Sequence, residues 1–308
     1  MAAISSEVQS LEDIRYKSKI KVYLYPLIIL FLFVIAFLNF YPISDQLKAF
    51  MKKNLAGTGC NPDYDQIRIE WLMPKLVISD LSLPPGCLGQ EAGEMLKFNF
   101  VNINFHFINF SPIGIPFKIE TEMNGQPLSL YFVQGFGKRM IRLKDQSLVL
   151  SRLAPLMGGK VKVGGNMIVD LNLLMSNQNA LQSLSLKVSS KDLQLPSQNL
   201  QGFTTPNLKL NTLFLEASSE NPPRVKVQKF ILGDPEAPMR ADFKGRIDLQ
   251  QGNIAFSPID LSGEVAFSES FKQQLPLIDM MFQSFTQKDG FYQIRLGGML
   301  GAPKTLAP

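Results

Sequence analysis

Few residues in this chain could do acid–base, nucleophilic or metal chemistry. In 308 residues there is one histidine, His106, and two cysteines, Cys60 and Cys87. Histidine is the side chain that ordinarily titrates near neutrality and the commonest metal ligand, so a single copy argues against His-based catalysis or a multi-His metal centre. His106 alternates with Val101, Ile103 and Phe105 and falls on the polar side of that run. Gly158-Gly159-Lys160 invites a phosphate-loop reading, but Ala154 stands where that loop needs Gly and Val161 where it needs Ser or Thr. Gly135-Phe136-Gly137 lacks the third glycine of a dinucleotide turn, Met140 taking its place. No serine sits in a nucleophile elbow. The carboxylates are dispersed singly along strand-like runs. The expectation is a protein that is not an enzyme and carries no catalytic residue, metal or cofactor.

Two groups of residues suggest binding instead. Lys138, Arg139, Arg142 and Lys144 form a basic group that could hold a phospholipid headgroup or an acidic partner; the alternative is a solvated turn. The apolar residues Val161, Val163, Val169, Leu171, Phe243, Ile247 and Phe267 recur in alternating runs and are candidates to line a groove. The formal net charge of +5 is too small and too scattered for a nucleic-acid footprint, so no nucleic acid is expected as a partner.

The elements that must position these groups begin with a membrane anchor. Val22 to Ile43 contains no charged residue. At a rise of about 1.5 Å per residue, ~20 helical residues cross a hydrocarbon core of about 30 Å. Tyr23, Tyr25 and Tyr41 lie near the two ends, where amphipathic rings favour the interface. Phe40-Tyr41-Pro42 offers no small-residue cleavage site, which favours an uncleaved transmembrane helix over a signal peptide. Arg15, Lys17, Lys19 and Lys21 precede the span directly, so the positive-inside bias puts residues 1–21 in the cytoplasm and 44–308 across the membrane. In an oxidising compartment Cys60 and Cys87 would form a disulfide, closing a loop of about 28 residues for roughly 3–4 kcal/mol; two unpaired buried thiols are the alternative.

The composition, 45% hydrophobic and 19% charged, excludes a disordered chain, and two cysteines exclude a disulfide-built mini-protein. After the span, Ser44 can cap a helix to about Ala56, with Leu47, Phe50, Met51 and Leu55 on one side and Lys48, Lys52 and Lys53 on the other. Beyond Gly57 the period changes to two: Ile67/Ile69/Trp71, Val101/Ile103/Phe105/Phe107, Val161/Val163, Met167/Val169/Leu171/Leu173, Leu184/Leu186/Val188, Val225/Val227, Phe243/Gly245/Ile247/Leu249, Val265/Phe267 and Tyr292/Ile294/Leu296. Such alternation predicts antiparallel strands with one apolar face. Ser147–Met157 and Glu269–Phe285 read as helices, the second bent or restarted at Pro276. Asp-Leu recurs at Asp80, Asp170, Asp192, Asp248 and Asp260, suggesting one strand-and-turn unit used repeatedly, opening or ending strands of a long meander.

Several motifs together resemble a known family. Trp71-Leu72-Met73-Pro74 leads to Val77-Ile78-Ser79-Asp80-Leu81; Leu156-Met157-Gly158-Gly159-Lys160 leads to Gly164-Gly165. The ending runs from Ile259-Asp260-Leu261-Ser262-Gly263 to Gly290-Phe291-Tyr292, Gly297-Gly298-Met299-Leu300 and Ala302-Pro303-Lys304. With the anchor, these are similar to the type II secretion system protein N (GspN) family, and the ending is similar to AsmA-like proteins. The resemblance implies an N-terminal transmembrane helix followed by an elongated, curved antiparallel β-sheet domain with a few short helices. It implies a non-enzymatic component of a type II secretion system in the bacterial inner membrane, its β domain in the periplasm against other secretion-system envelope proteins. The AsmA-like alternative is a lipid-binding or lipid-transfer protein whose apolar β-groove carries acyl chains between envelope membranes. An apolar groove would also account for the 23 phenylalanines, against one tryptophan and seven tyrosines. Residues 1–16 lie outside the family pattern.

Overall fold

The computed structural model describes residues 60–70, 75–88, 94–106, 109–157, 162–200, 203–250, 254–275 and 277–306, with positions 29, 30, 33, 45, 46, 49 and 53. Most of the expected anchor therefore lies outside the described residues. Its described members Ile29, Leu30 and Phe33 are helical with exposed side chains, and Asp45, Gln46, Ala49 and Lys53 are also helical. Among the described residues no helix is long and apolar enough to cross a membrane. Trp71, Phe107, Val161 and the Gly158–Lys160 stretch are likewise outside them.

The strands take in most of the period-two runs, though Val163 lies in none of the strands. They are β1 (Gln66–Glu70), β2 (Lys75–Leu83), β3 (Leu96–Phe105), β4 (Asn109–Phe110), β5 (Ile113–Met123), β6 (Gln126–Gly135), β7 (Lys138–Val149), β8 (Asn166–Ser176) and β9 (Leu181–Leu195). They continue as β10 (Gln198–Leu200), β11 (Phe203–Thr205), β12 (Leu208–Asn221), β13 (Arg224–Leu232), β14 (Met239–Asp248), β15 (Ile259–Phe267), β16 (Gln287–Lys288), β17 (Phe291–Met299) and β18 (Ala302–Leu306). Sixteen of them make one open antiparallel sheet in nearly sequential order, while β10 and β11 form a separate hairpin. The chain is thus mainly β, a long meander with few helices.

Tight turns set the register. Asn124-Gly125 between β5 and β6 has φ of 48° and 74°, and Asp289-Gly290 before β17 has 53° and 83°. Positive φ at both central positions is what a two-residue hairpin with the right-handed strand twist needs, and Asn-Gly and Asp-Gly supply it most cheaply. Two asparagine or aspartate residues at positive φ, Asp145 (45°) and Asn211 (58°), lie at register shifts in β7 and β12, where the extra residue bends the strand.

Three sequence expectations need correction. Residues 147–149 belong to β7, because Ser147–Val149 pair with Ile168–Asn166, and the helical turn that follows is a 3-10 helix, Leu150–Met157. The Asp-Leu pairs do not all open or end strands: Asp80, Asp170 and Asp192 lie inside β2, β8 and β9. The basic group at 138–144 is not a turn but the first half of β7. The second helical segment is two short helices, α1 (Glu269–Gln274) and α2 (Leu277–Phe282), the first capped at Leu275, in keeping with the expected restart at a proline. Ser268 caps α1 by accepting from the Phe271 N–H.

The turn Pro85–Leu88 and the segment leading to β1 are tied by a disulfide, Cys60–Cys87, with the Cα atoms 4.2 Å apart. It fastens the outermost region of the sheet at the end where the chain enters.

Candidate functional site

Alternation along each strand becomes a continuous surface only through the register between strands. One row runs Ile67, Ile78, Val101, Thr121, Leu128 across β1, β2, β3, β5 and β6. Another runs Val169, Val188, Leu215, Phe230, Phe243, Gly263, Ile294 across β8, β9, β12, β13, β14, β15 and β17. Paired residues point to the same side, so these rows lie on one apolar face; the other face is more polar but carries a short apolar row of its own, Pro116, Val133, Met140 and Leu174. Gly263 is where Phe243 needs room: a Cβ there would lie 2.5 Å from the Phe243 ring and 2.1 Å from the Asp242 carbonyl oxygen.

Part of this face is covered by the chain's own helices. Leu150 and Leu153 of the 3-10 helix, Phe271 of α1, Leu275 and Ile278 pack with Leu193, Leu208 and Leu210. The expected groove residues other than Val161, which lies outside the described residues, are on this face. Val163 joins that cluster, Val169 is buried with Leu148 and Val188 beside Leu171, and Ile247 packs against Ala217, Val225 and Val227. Phe243 is buried with Val265 and Tyr292, and Phe267 bridges this group to the helices. Phe267 stands 5.0 Å from Phe282 edge-on, and Phe282 lies 5.3 Å from Tyr292 and 5.5 Å from Phe285. These rings form a core of tilted and edge-to-face pairs, the arrangement that aromatic quadrupoles favour.

The face behaves differently over β3, β5 and β6. Phe105, Phe117 and Phe132 are cross-strand neighbours in a ladder, with ring centroids 5.1 Å and 5.9 Å apart. Ile103, Ile119 and Leu130 make a parallel row beside them. These side chains are half-buried, and Phe105 and Ile115 remain 40% and 54% exposed. Alternation in the sequence does not reveal β5, β6 and most of β7, and so two thirds of these rows.

The basic group is divided. Lys138, Arg142 and Lys144 point to the polar face and are exposed; Arg139 pairs with Met175 on the apolar face. There its Nη1 donates to Asn179 Oδ1 at 3.0 Å, while its Nε is buried without a partner. Lys138 and Arg142 share a hollow of about 290 Å³ with Ser111, Asn172 and Ser183, and no carboxylate lines it. Lys144 lies beyond Met140 and Arg142 at the Asp145 register shift.

The polar face elsewhere is held by charge pairs with structural partners. Asp260 accepts from Arg295 at 2.8 Å and faces Arg246 at 3.3 Å; the Arg295 hydrogen bond holds its carboxyl below the ordinary carboxylate value. Asp192 accepts from the Asn166 backbone N–H and side-chain amide, both at 2.7 Å, and the backbone bond lowers its pKa most. Glu120 is lowered chiefly by Lys118. His106 is exposed just after β3, its backbone N–H donating to the Pro116 carbonyl. Among the described residues no three His, Cys, Asp or Glu side chains come together as metal ligands would. The arrangement offers apolar surface on one face and exposed cations, Lys138 and Arg142, on the other. No family model, curated protein or solved structure matches the chain.

Proposed function

We propose that this is a non-enzymatic, membrane-anchored envelope protein whose open sheet binds acyl chains on its apolar face. The half-buried aromatic ladder Phe105–Phe117–Phe132, continuous with the Ile103–Ile119–Leu130 row, carries this reading. Apolar area of that kind gains roughly 25 cal/mol per Å² when water leaves it, and a flexible hydrocarbon chain matches a long, shallow, uncharged strip. The uncharged stretch from Val22 to Ile43 supplies the anchor, and the lysines and arginine before it put the sheet on the far side of the membrane. Native mass spectrometry of the full chain extracted with its surrounding lipid tests the reading. Bound phospholipid is expected, and substituting Phe117→Asp should remove it. A lipid-free chain, or unchanged lipid in the variant, would count against it.

A second reading, a periplasmic component of a type II secretion system in the inner membrane, rests on the resemblance to the GspN family. Its support is that the stretch carrying the fullest resemblance, residues 259–304, takes in β15, β17 and the start of β18, consecutive neighbours at one side of the sheet. Such an edge offers unpaired backbone groups to a partner protein. Deleting the gene should reduce the secreted protein set of the organism; unchanged secretion would overturn this role. The two readings are compatible, since a lipid-binding sheet can serve an export machine.

A further inference from the structure

The β6–β7 turn presents a phenylalanine to solvent. Phe136 is 91% exposed, the most exposed large apolar side chain among the described residues. Its turn is braced by the neighbouring β8–β9 turn: the Asn177 side-chain amide donates to the Phe136 carbonyl at 2.8 Å, and the Asn177 backbone N–H donates to Gly137. Ile113 stands next to it, since Gly114 pairs with Gly135, and is 60% exposed. A chain gains nothing by bracing an apolar side chain in water, so the geometry asks for an apolar environment at this tip.

The hollow of Lys138 and Arg142 lies directly behind the tip on the polar face. Ser111, Asn172 and Ser183 add hydroxyl and amide donors, so the site offers two cations and several neutral donors to an anion. An apolar tip backed by cations at headgroup depth is the pattern of interfacial membrane binding. The tip is also at the far end of the strands from the chain's entry. Leu83, Leu96, Met123 and Gln126 mark the entry end beside the disulfide, and β6 spans ten residues, about 30 Å, from there to Gly135.

We infer that the β6–β7 tip docks on an anionic phospholipid bilayer, Phe136 and Ile113 entering the interface and Lys138 and Arg142 holding a lipid phosphate. The inference rests on the reading of the chain as membrane-anchored and adds a second membrane contact at the end of the acyl-chain face, where Ile113 stands on the same side of β5 as Ile115 and Phe117. It is tested with the full chain in phosphatidylcholine nanodiscs fixed to a sensor surface, over which vesicles of phosphatidylcholine alone or with phosphatidylglycerol are passed. Vesicles containing phosphatidylglycerol should be retained about tenfold or more better than neutral ones. The double variant Phe136→Ser, Ile113→Ser should lose retention of both kinds. Lys138→Ser with Arg142→Ser should lose only the preference for the anionic lipid. All four side chains face solvent or line an open hollow, and thermal unfolding of each variant should match that of the parent. Equal retention of the two vesicle types by the parent, or parental retention by both variants, would overturn the inference. Lost vesicle capture with lipid still co-purifying leaves the acyl-chain reading intact, and lipid-free protein that still captures vesicles strikes only that reading.

Discussion

At the scale of residues, several single side chains hold the sheet's geometry. Asp192 in β9 fixes the entry to β8 through two hydrogen bonds to Asn166, next to Gly165, whose φ of 105° leaves no room for a side chain. The folded pKa of Asp192 is below its ordinary 3.8, so its contribution is present above that value and is lost as the pH falls through the folded pKa. Asp260 behaves in the same direction through Arg295. Acid titration followed by circular dichroism should show stability declining below about pH 4, and Asp192→Asn should flatten that decline. Gly263→Val should be more damaging, because the added atoms meet both the Asp242 carbonyl and the Phe243 ring. A loss of roughly 2–3 kcal/mol in urea unfolding is expected, against little change for Ser262→Val on the opposite face.

At the scale of elements, the two aromatic groups differ: one is a closed core, the other a more exposed ladder, the proposed binding surface. Phe271 is 5% exposed and sits where α1 covers the sheet. Truncating it to Ala should cost about 3–4 kcal/mol and loosen both short helices. Phe117, half-buried in the ladder, should cost clearly less in the lipid-free protein. Chemical denaturation of the two variants side by side checks this contrast. Much of the fold was legible in the sequence. Alternation in β8, β14 and β17 announced itself, and the break at Pro276 was visible in advance. The strands from 113 to 149 were not, for two physical reasons. Pro116 interrupts Ile113, Ile115, Phe117 and Ile119, although its missing N–H falls at the last rung of the ladder with β3, beside the His106–Pro116 bond, and is tolerated there. In β7 the register shift at Asp145 moves the apolar phase from Ile141 and Leu143 to Gln146 and Leu148, which hides the period. The Asn124-Gly125 hairpin was the available signal. The division of the basic group was equally hidden, since only a strand reading puts Arg139 on the side opposite Lys138 and Arg142.

At the scale of the whole molecule, an open meander of sixteen strands has two lateral edges and one long apolar face to manage. The Cys60–Cys87 disulfide secures one edge region, closing a loop of sequence separation 27. Replacing both cysteines with serine should lower stability by roughly 3 kcal/mol and make β1 and β2 the first region to exchange amide hydrogens. Along the face, α1, α2 and the 3-10 helix cover one stretch, and no described helix joins the ladder over β3, β5 and β6, the surface proposed to take acyl chains. The most direct test uses a phospholipid with a photoreactive acyl chain, crosslinked to the full-length protein and mapped by peptide mass spectrometry. The account predicts adducts on β3, β5 and β6 peptides around Phe105, Phe117 and Phe132, reduced at least tenfold by Phe117→Asp. Adducts spread over the polar face, or confined to residues 22–43, would contradict it.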